Sequence, residues 1–232
     1  SLVWIVGVTN AINLLDGLDG LAGGVVPIIA GGLLVFSIGN GDYVAAMIMA
    51  TIVGACLGFL QKNWAPAQIY LGDAGSLTLG FMLAVVSVHS SLKTSAVIAI
   101  LIPILALGLP VIDTLLVMLF RFTQKSHGPI VRRAGRMFVA DRSHLHHLML
   151  RLGHNRNRIV MAIYAVAVIF CGLALVVATY RNATLGFVLI AFEVVVVFVI
   201  RQLGLNADVF RMSLDKRQMV REILFRRRAG ER

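Results

Sequence analysis

The sequence has little charge. Only 14% of its 232 residues are charged, whereas a soluble domain of this length carries about a quarter. Apolar residues make up 59% of the chain, and its mean hydropathy is +0.88. Apolar runs of about twenty residues recur along it. These features exclude a large water-soluble core and predict a polytopic membrane protein.

Cysteine is also scarce. The chain has two, Cys56 and Cys171, in separate apolar runs. They form no CxxC pair and have no metal-ligand spacing, so we interpret both as small buried hydrophobes.

Nucleic-acid motifs are lacking, although the net charge is +10. The basic residues are confined to loops, and aromatic residues are not interleaved with them. Membrane orientation and anionic lipid headgroups explain this charge, so we expect membrane lipids as partners and no nucleic acid.

A signal peptide is absent too, because the chain opens SLVWIVGVTN without Met or a basic region. The opening is typical of the middle of a membrane helix. We therefore expect further sequence upstream and a truncated first segment.

Seven apolar segments predict an all-α, polytopic transmembrane fold. The first is too short to span alone, while the other six are long enough to cross about 30 Å of hydrocarbon as helices. Prolines at 103 and 110 are expected to kink the fifth. We assign 1–202 to one transmembrane catalytic domain that includes a cytoplasmic loop at 121–158, and 203–232 to a basic cytoplasmic tail with an amphipathic pattern. The segments are 1–13, 21–38, 43–60, 75–92, 96–120, 159–180 and 184–200.

If successive connections lie on alternate sides of the membrane, nearly all basic residues fall on one side. One side receives nineteen Lys and Arg, and the other receives only Lys93 and Arg181. The first side is therefore predicted to be cytoplasmic. Three polar clusters fall on it: NLLDGLDG at 13–20, YLGDAGS at 70–76 and DRSHLHHL at 141–148. Chemistry gathered at one face favours a membrane enzyme over a pore.

The first cluster carries Asn13, Asp16 and Asp19 among glycines. Asn13 and Asp16 are three residues apart and share a face if the helix continues that far. Carboxylates at a membrane edge bind a divalent metal, orient a substrate or accept a proton. The alternative is that both aspartates cap the helix that begins at Leu21. Asn13, the two aspartates and the neighbouring glycines together favour a functional site over helix capping.

Asp73 in the second cluster leaves two interpretations open. It is either the N-cap of the following membrane helix or a metal ligand at a positive helix end, where phosphate also binds well.

The third cluster holds Arg142, His144, His146 and His147. It lacks the cysteine or Glu-x-x-His pattern of structural zinc sites, so phosphate contact or proton transfer is the favoured role. Arg and His beside a divalent cation suit a phosphorylated substrate.

Two acids lie within apolar segments. Asp113 is eight residues before Arg121, about 12 Å below the loop at helical rise. It is a functional candidate because it is an acid within the membrane, or it orders the backbone near Pro110. Glu193 either pairs with a partner that the sequence does not identify or is a helix-packing contact, and we do not assign it a catalytic role.

The ordered set NAINLLDGLDGLAGG, YLGDAGSLTLGF, PVIDT and DRSHLHHLMLRLG resembles the polyprenyl-phosphate N-acetylhexosamine-1-phosphate transferases, of the glycosyltransferase 4 type. The resemblance spans 10–153. The ADRSHLHH stretch is similar to the bacterial branch that uses UDP-N-acetylglucosamine and undecaprenyl phosphate. The muramoyl-pentapeptide branch typically shows three consecutive histidines, which this chain lacks.

The resemblance implies transfer of sugar 1-phosphate from a UDP-N-acetylhexosamine to polyprenyl phosphate with release of UMP. It implies Mg²⁺, with Mn²⁺ as a substitute, in a multi-pass protein of the bacterial inner membrane whose active site faces the cytoplasm. A homodimer is a further expectation. The metal ligands would be Asp73 and Asn13. Asp16, Asp19, His144, His146 and His147 would form the catalytic set, and Asn13, Asp16, Asp19, Arg142, His146 and His147 would bind substrate.

One family feature is missing. The chain contains no adjacent Asp pair, which the family carries on an earlier cytoplasmic helix end. We expect the pair upstream of Ser1, so the sequence alone is expected to be inactive. The alternatives are a transporter and a noncatalytic membrane partner.

Overall fold

The computed structural model describes residues 1–91, 96–123, 144–151, 153 and 155–205. Within these ranges the chain forms nine helices and no strand. In chain order they are α1 (Leu2–Leu15), α2 (Leu21–Gly39), α3 (Tyr43–Asn63), α4 (Gly72–Ser91), α5 (Ala96–Ala106), α6 (Gly108–Thr123), α7 (Leu145–Arg151), α8 (Arg156–Tyr180) and α9 (Ala183–Leu205).

Five of these helices, α2, α3, α4, α8 and α9, are long and apolar enough to cross a membrane. Helical spans follow from the solvent, because the hydrocarbon core offers no hydrogen-bond partner to the backbone. The protein is therefore a polytopic helical membrane protein, as predicted, and α1 is the short first segment.

The apolar segment 96–120 is not the single kinked helix that we expected. It breaks at Leu107 into α5 and α6, whose axes differ by 83°. Pro110 explains the position of the break, because it has no amide hydrogen to donate to the Ala106 carbonyl four residues earlier. The thiol of Cys171 lies 3.8 Å from that carbonyl oxygen. Asp113 and Arg121 both lie on α6, and the 12 Å depth expected for Asp113 stays a prediction.

Helix α2 lies at the centre and is the most buried of the five spans. It packs against α3, α8, α4 and α5. Cys56 and Cys171 are buried and unbonded to each other, which confirms their interpretation as small core residues. Glu193 is fully buried on α9, with its carboxyl against the backbone of Gly108 at the α5–α6 break.

Helix α1 packs against α4 and α6. At the first contact a Cβ on Gly80 would lie 2.9 Å from Cα of Thr9, so only glycine permits this backbone approach. This packing brings the C-terminal end of α1 next to the N-terminal end of α4. Arg142, most of the 121–158 loop and the part of the predicted tail after Leu205 lie outside the described residues, whereas residues 203–205 belong to α9.

Candidate functional site

The first two polar clusters meet through Asn13. Its side-chain amide donates to a carboxylate oxygen of Asp73 at 3.0 Å and to the hydroxyl oxygen of Ser76 at 2.8 Å. The Ser76 hydroxyl donates in turn to the Gly72 carbonyl at 3.0 Å. Ser76 is fully buried, whereas Asp73 is exposed. The Asn13–Asp73 pair is therefore held from the protein interior through Ser76, while the Asp73 carboxylate is accessible from outside.

Asp16 ends α1 as its C-cap residue, and its amide donates to the Asn13 carbonyl. Partial burial raises the pKa of the Asp16 carboxyl, and the negative charge of Asp73 raises it further. The two carboxylates are therefore close enough to repel each other. A cation between them would relieve that repulsion.

Asp19 faces a different neighbour. A carboxylate oxygen accepts a hydrogen bond of 3.2 Å from the backbone amide of Ala67, in the α3–α4 connection. The same turn is held by Asn63, which accepts from the Gly20 amide at 2.9 Å, and by the Tyr164 hydroxyl, which donates to the Gly20 carbonyl. Asp19 therefore joins the α1–α2 connection to the α3–α4 connection, and its substrate role stays a prediction.

The capping alternative for the first cluster is wrong. The N-cap of α2 is Gly20, which has no side chain to accept a hydrogen bond, and neither Asp16 nor Asp19 caps the helix. Asp73 likewise lies within the first turn of α4 rather than before it. Its carboxylate accepts from Asn13 instead, which favours the ligand-binding interpretation.

His146 brings the third cluster to the first. A Cβ on Gly17 would collide with Nε2 of His146, so the imidazole lies directly against the backbone of the Asp16–Asp19 turn. Nε2 is buried without a hydrogen-bond partner among the described residues. Burial lowers the pKa of His146 to about 4, with a further lowering from the neighbouring charge of His147. The imidazole is consequently neutral at pH 7.

His144 lies immediately before α7 and is bound by α6. Its Nδ1 is 2.9 Å from a carboxylate oxygen of Asp113, and the Leu145 amide donates to the other oxygen at 3.2 Å. Nη1 of Arg201, on α9, lies 3.7 Å from Asp113. All three ionisable side chains are buried. Asp113 thus joins α6, α7 and α9.

Sequence reasoning missed several of these residues. Arg201 was counted only as a basic residue, and Ser76, Asn63 and Tyr164 were not singled out. A buried acid requires a cation or a donor nearby, so Asp113 predicted a partner without identifying it. Ser76 had a weaker signal, its place one helical turn after Asp73.

The described residues contain no group of three His, Cys, Asp or Glu side chains that could hold a metal alone. Mg²⁺ does not require one, because it keeps several waters and binds through one or two carboxylates plus substrate phosphates. Asp73, with Asp16 beside it, fits this pattern. Asn13 presents its amide nitrogen to Asp73, so it orients the carboxylate here, and its role as a ligand stays a prediction.

A family comparison now bears on this geometry. Residues 1–91 match the sequence model described as "Glycosyl transferase family 4". Over these residues the chain is similar to glycosyl transferase family 4. The matched region contains Asn13, Asp16, Asp19 and Asp73, which are the residues of the first two clusters.

Curated relatives extend the similarity beyond residue 91. The chain is 34% identical to the probable undecaprenyl-phosphate N-acetylglucosaminyl 1-phosphate transferase of Bacillus subtilis, over 85% of this chain and 52% of the relative. It is 38% identical to the decaprenyl-phosphate N-acetylglucosaminephosphotransferase of Mycobacterium leprae, over 71% and 44%. It is 37% identical to the phospho-N-acetylmuramoyl-pentapeptide-transferase of Geobacillus kaustophilus, over 77% and 51%. The chain thus spans about half the length of these relatives.

Proposed function

We propose that the protein to which this chain belongs transfers N-acetylhexosamine 1-phosphate, with N-acetylglucosamine as the preferred sugar, from its UDP derivative to polyprenyl phosphate and releases UMP. The reaction would begin a lipid-linked polysaccharide of the cell envelope. The observation that carries the proposal is the contact between Asn13 and Asp73. It unites two polar clusters, 60 residues apart in sequence, within the family 4 region.

The chemistry requires the removal of repulsion between two anions. An oxygen of the acceptor phosphate forms a bond to the phosphorus that carries the sugar. The bond from that phosphorus to the bridging oxygen of the diphosphate breaks, and UMP leaves with the electron pair. Mg²⁺, or Mn²⁺ in its place, would supply charge neutralisation at the diphosphate when bound.

The side chains of this chain would share the remaining work. Asp73 and Asp16 would hold the metal, and Asn13 would orient the Asp73 carboxylate. The histidines of α7 and its N-terminal flank would lie over the Asp16–Asp19 turn and contact the phosphates or the sugar. Preorganised groups of this kind act by stabilising charge where it develops, without reorganising during the reaction.

The charge sorting supports a cytoplasmic site. With the bent α5–α6 pair counted as one crossing, the ends that carry the three clusters share the side with nineteen basic residues. A bacterial inner membrane location then gives the site access to a soluble nucleotide sugar on one side of the interface and a lipid phosphate on the other.

The test is an assay of the full-length protein in lipid nanodiscs with UDP-N-acetylglucosamine and undecaprenyl phosphate. UMP release should equal the formation of a lipid-linked sugar diphosphate, detected by mass spectrometry. EDTA should stop both, and Mg²⁺ should restore them. Absence of the lipid product under these conditions contradicts the proposal.

The same assay decides the alternatives. A noncatalytic partner would release no UMP, and a transporter would move solute without lipid product. The transporter alternative is not favoured, since the relatives cited above are all named as transferases.

A further inference from the structure

A buried set of three ionisable side chains includes one histidine of the proposed site. It consists of Asp113 on α6, His144 before α7 and Arg201 on α9. Their fractional exposures are 5%, 5% and 2%. Burial of charged groups is unfavourable unless each is paired. Asp113 provides the pairing, because one carboxylate faces both the imidazole and the guanidinium.

The geometry around Asp113 fixes which ring nitrogen of His144 points toward the carboxylate. Nδ1 of His144 is 2.9 Å from Oδ2 of Asp113, while the Leu145 amide donates to Oδ1 at 3.2 Å. A carboxylate is an acceptor only, so Nδ1 must carry a proton in this hydrogen bond. The second ring nitrogen, Nε2, is the atom that does not face Asp113.

His144 also lies beside His146. Its ring is nearly parallel to that of His146, with 6.2 Å between the ring centroids and 10° between the planes. His146 in turn lies against Gly17, the residue after Asp16. The packing of α1 on α6 brings the elements that carry Asn13 and Asp113 together.

We propose that Asp113 is a positioning residue of the transfer reaction: it holds His144 in the tautomer with hydrogen on Nδ1 and presents Nε2 to the phosphorylated substrate. This inference rests on the proposed function. Asp113 does not contact substrate itself. Nη1 of Arg201, 3.7 Å from Oδ1 of Asp113, supplies the positive charge that pairs this buried carboxylate.

The first experiment needs no variant. Ring-nitrogen NMR of the full-length protein, labelled with ¹⁵N-histidine, reports which nitrogen of His144 carries hydrogen. Comparison with a His144→Gln sample assigns the signal. We expect protonation at Nδ1. A neutral ring with hydrogen on Nε2 alone overturns the proposal, and this result does not depend on enzymatic activity.

The second experiment is a double-mutant cycle on UMP release, with Asp113→Asn, His144→Gln and both together. Asp113→Asn should lower kcat by roughly 100-fold, because an amide also supports the wrong tautomer, while KM for the UDP-sugar changes less than about threefold. If Asp113 acts through His144, the double variant should be no slower than His144→Gln. Losses that multiply in the double variant overturn the proposal and indicate a separate structural role.

Glu193→Gln is the matched control, because it also removes a buried carboxyl but lies against Gly108 at the helix break. It should leave kcat within about threefold, so a loss as large as that of Asp113→Asn would show that replacing a buried carboxyl elsewhere in the bundle is enough and overturn the specific role. Wild-type protein without UMP release contradicts the proposed function instead, and the NMR result then still tests the Asp113–His144 pair.

Discussion

The side-chain amide of Asn13 donates a 3.0 Å hydrogen bond to the carboxylate of Asp73. The two residues come from different membrane helices, α1 and α4, at the point where both reach the same end of the bundle. This contact orients an exposed carboxylate from a buried support, since the same amide also donates to Ser76. A substrate-bound metal could therefore meet a ligand whose direction is already set.

Asp73→Asn should lower Mg²⁺-dependent UMP release by at least about 100-fold, because an amide cannot supply the ligand charge. The variant should still fold, since Asn keeps an oxygen that accepts from Asn13. Asp42→Asn is the control: Asp42 caps α3 at the opposite end of the bundle, and Asn caps helices about as well. Normal turnover by Asp73→Asn would remove the central assignment.

Gly17→Ala should lower both stability and activity. The new methyl group would overlap Nε2 of His146, and overpacking typically costs about 1–3 kcal/mol. Thermal unfolding in detergent measures the first effect and UMP release the second.

Gly31→Ala is the matched control, since a Cβ there meets nothing within 4 Å. Adding His146→Ala to Gly17→Ala should restore much of the lost stability, because it removes the overlapping ring. If the double variant is no more stable than Gly17→Ala, strain at the His146 ring is not the cause.

Asp16→Asn should stabilise the protein in EDTA while it lowers turnover. The raised pKa of Asp16, due to burial and then to the charge of Asp73, shows that its ionised form is unfavourable when no cation is present. Removing one charge should therefore add about 0.5–2 kcal/mol. Unfolding temperatures with EDTA and with Mg²⁺ measure the effect, and the gain should shrink or reverse in Mg²⁺. A variant less stable than wild type in EDTA contradicts the repulsion.

Acidification should destabilise the protein through His146. The folded protein binds a proton there only near pH 4, whereas an unperturbed histidine does so at 6.5. Between these values the unfolded chain holds more protons, so stability is full above about pH 6.5 and falls as the pH drops toward 4. The loss should be on the order of 1–3 kcal/mol.

The pH dependence is measured as unfolding temperature against pH for wild type and His146→Gln. The variant cannot titrate at this position, so its curve should be flatter between about pH 6.5 and 4. Parallel curves would assign the acid sensitivity to other groups, such as the carboxylates.

Helix positions could be predicted well from the sequence, because hydropathy over about twenty residues is a local property and the bilayer enforces helices. The expected segment at 159–180 appears as α8 (Arg156–Tyr180), and that at 21–38 as α2 (Leu21–Gly39). The break in 96–120 was only partly predictable. Proline indicates where a helix weakens, but it does not give the 83° angle between α5 and α6, which depends on tertiary packing.

The candidate site was also only partly predictable from the sequence. Residue types and spacing identified Asn13, Asp16, Asp73 and the histidines, because phosphate and metal chemistry needs carboxylates, amides and imidazoles near a flexible turn. Spacing did not give the partner of Asp19, which is the Ala67 amide 48 residues away.

The sequence by itself determined that the chain is a helical membrane protein, and it predicted which face carries the charge and which polar clusters lie on that face. These properties depend on composition summed over short windows. Only the tertiary structure decided that Asn13 meets Asp73, that His146 closes on Gly17 and that Asp113 binds His144. Each of these contacts joins residues at least 31 positions apart, and the packing of whole helices, rather than local preference, sets the direction of each side chain.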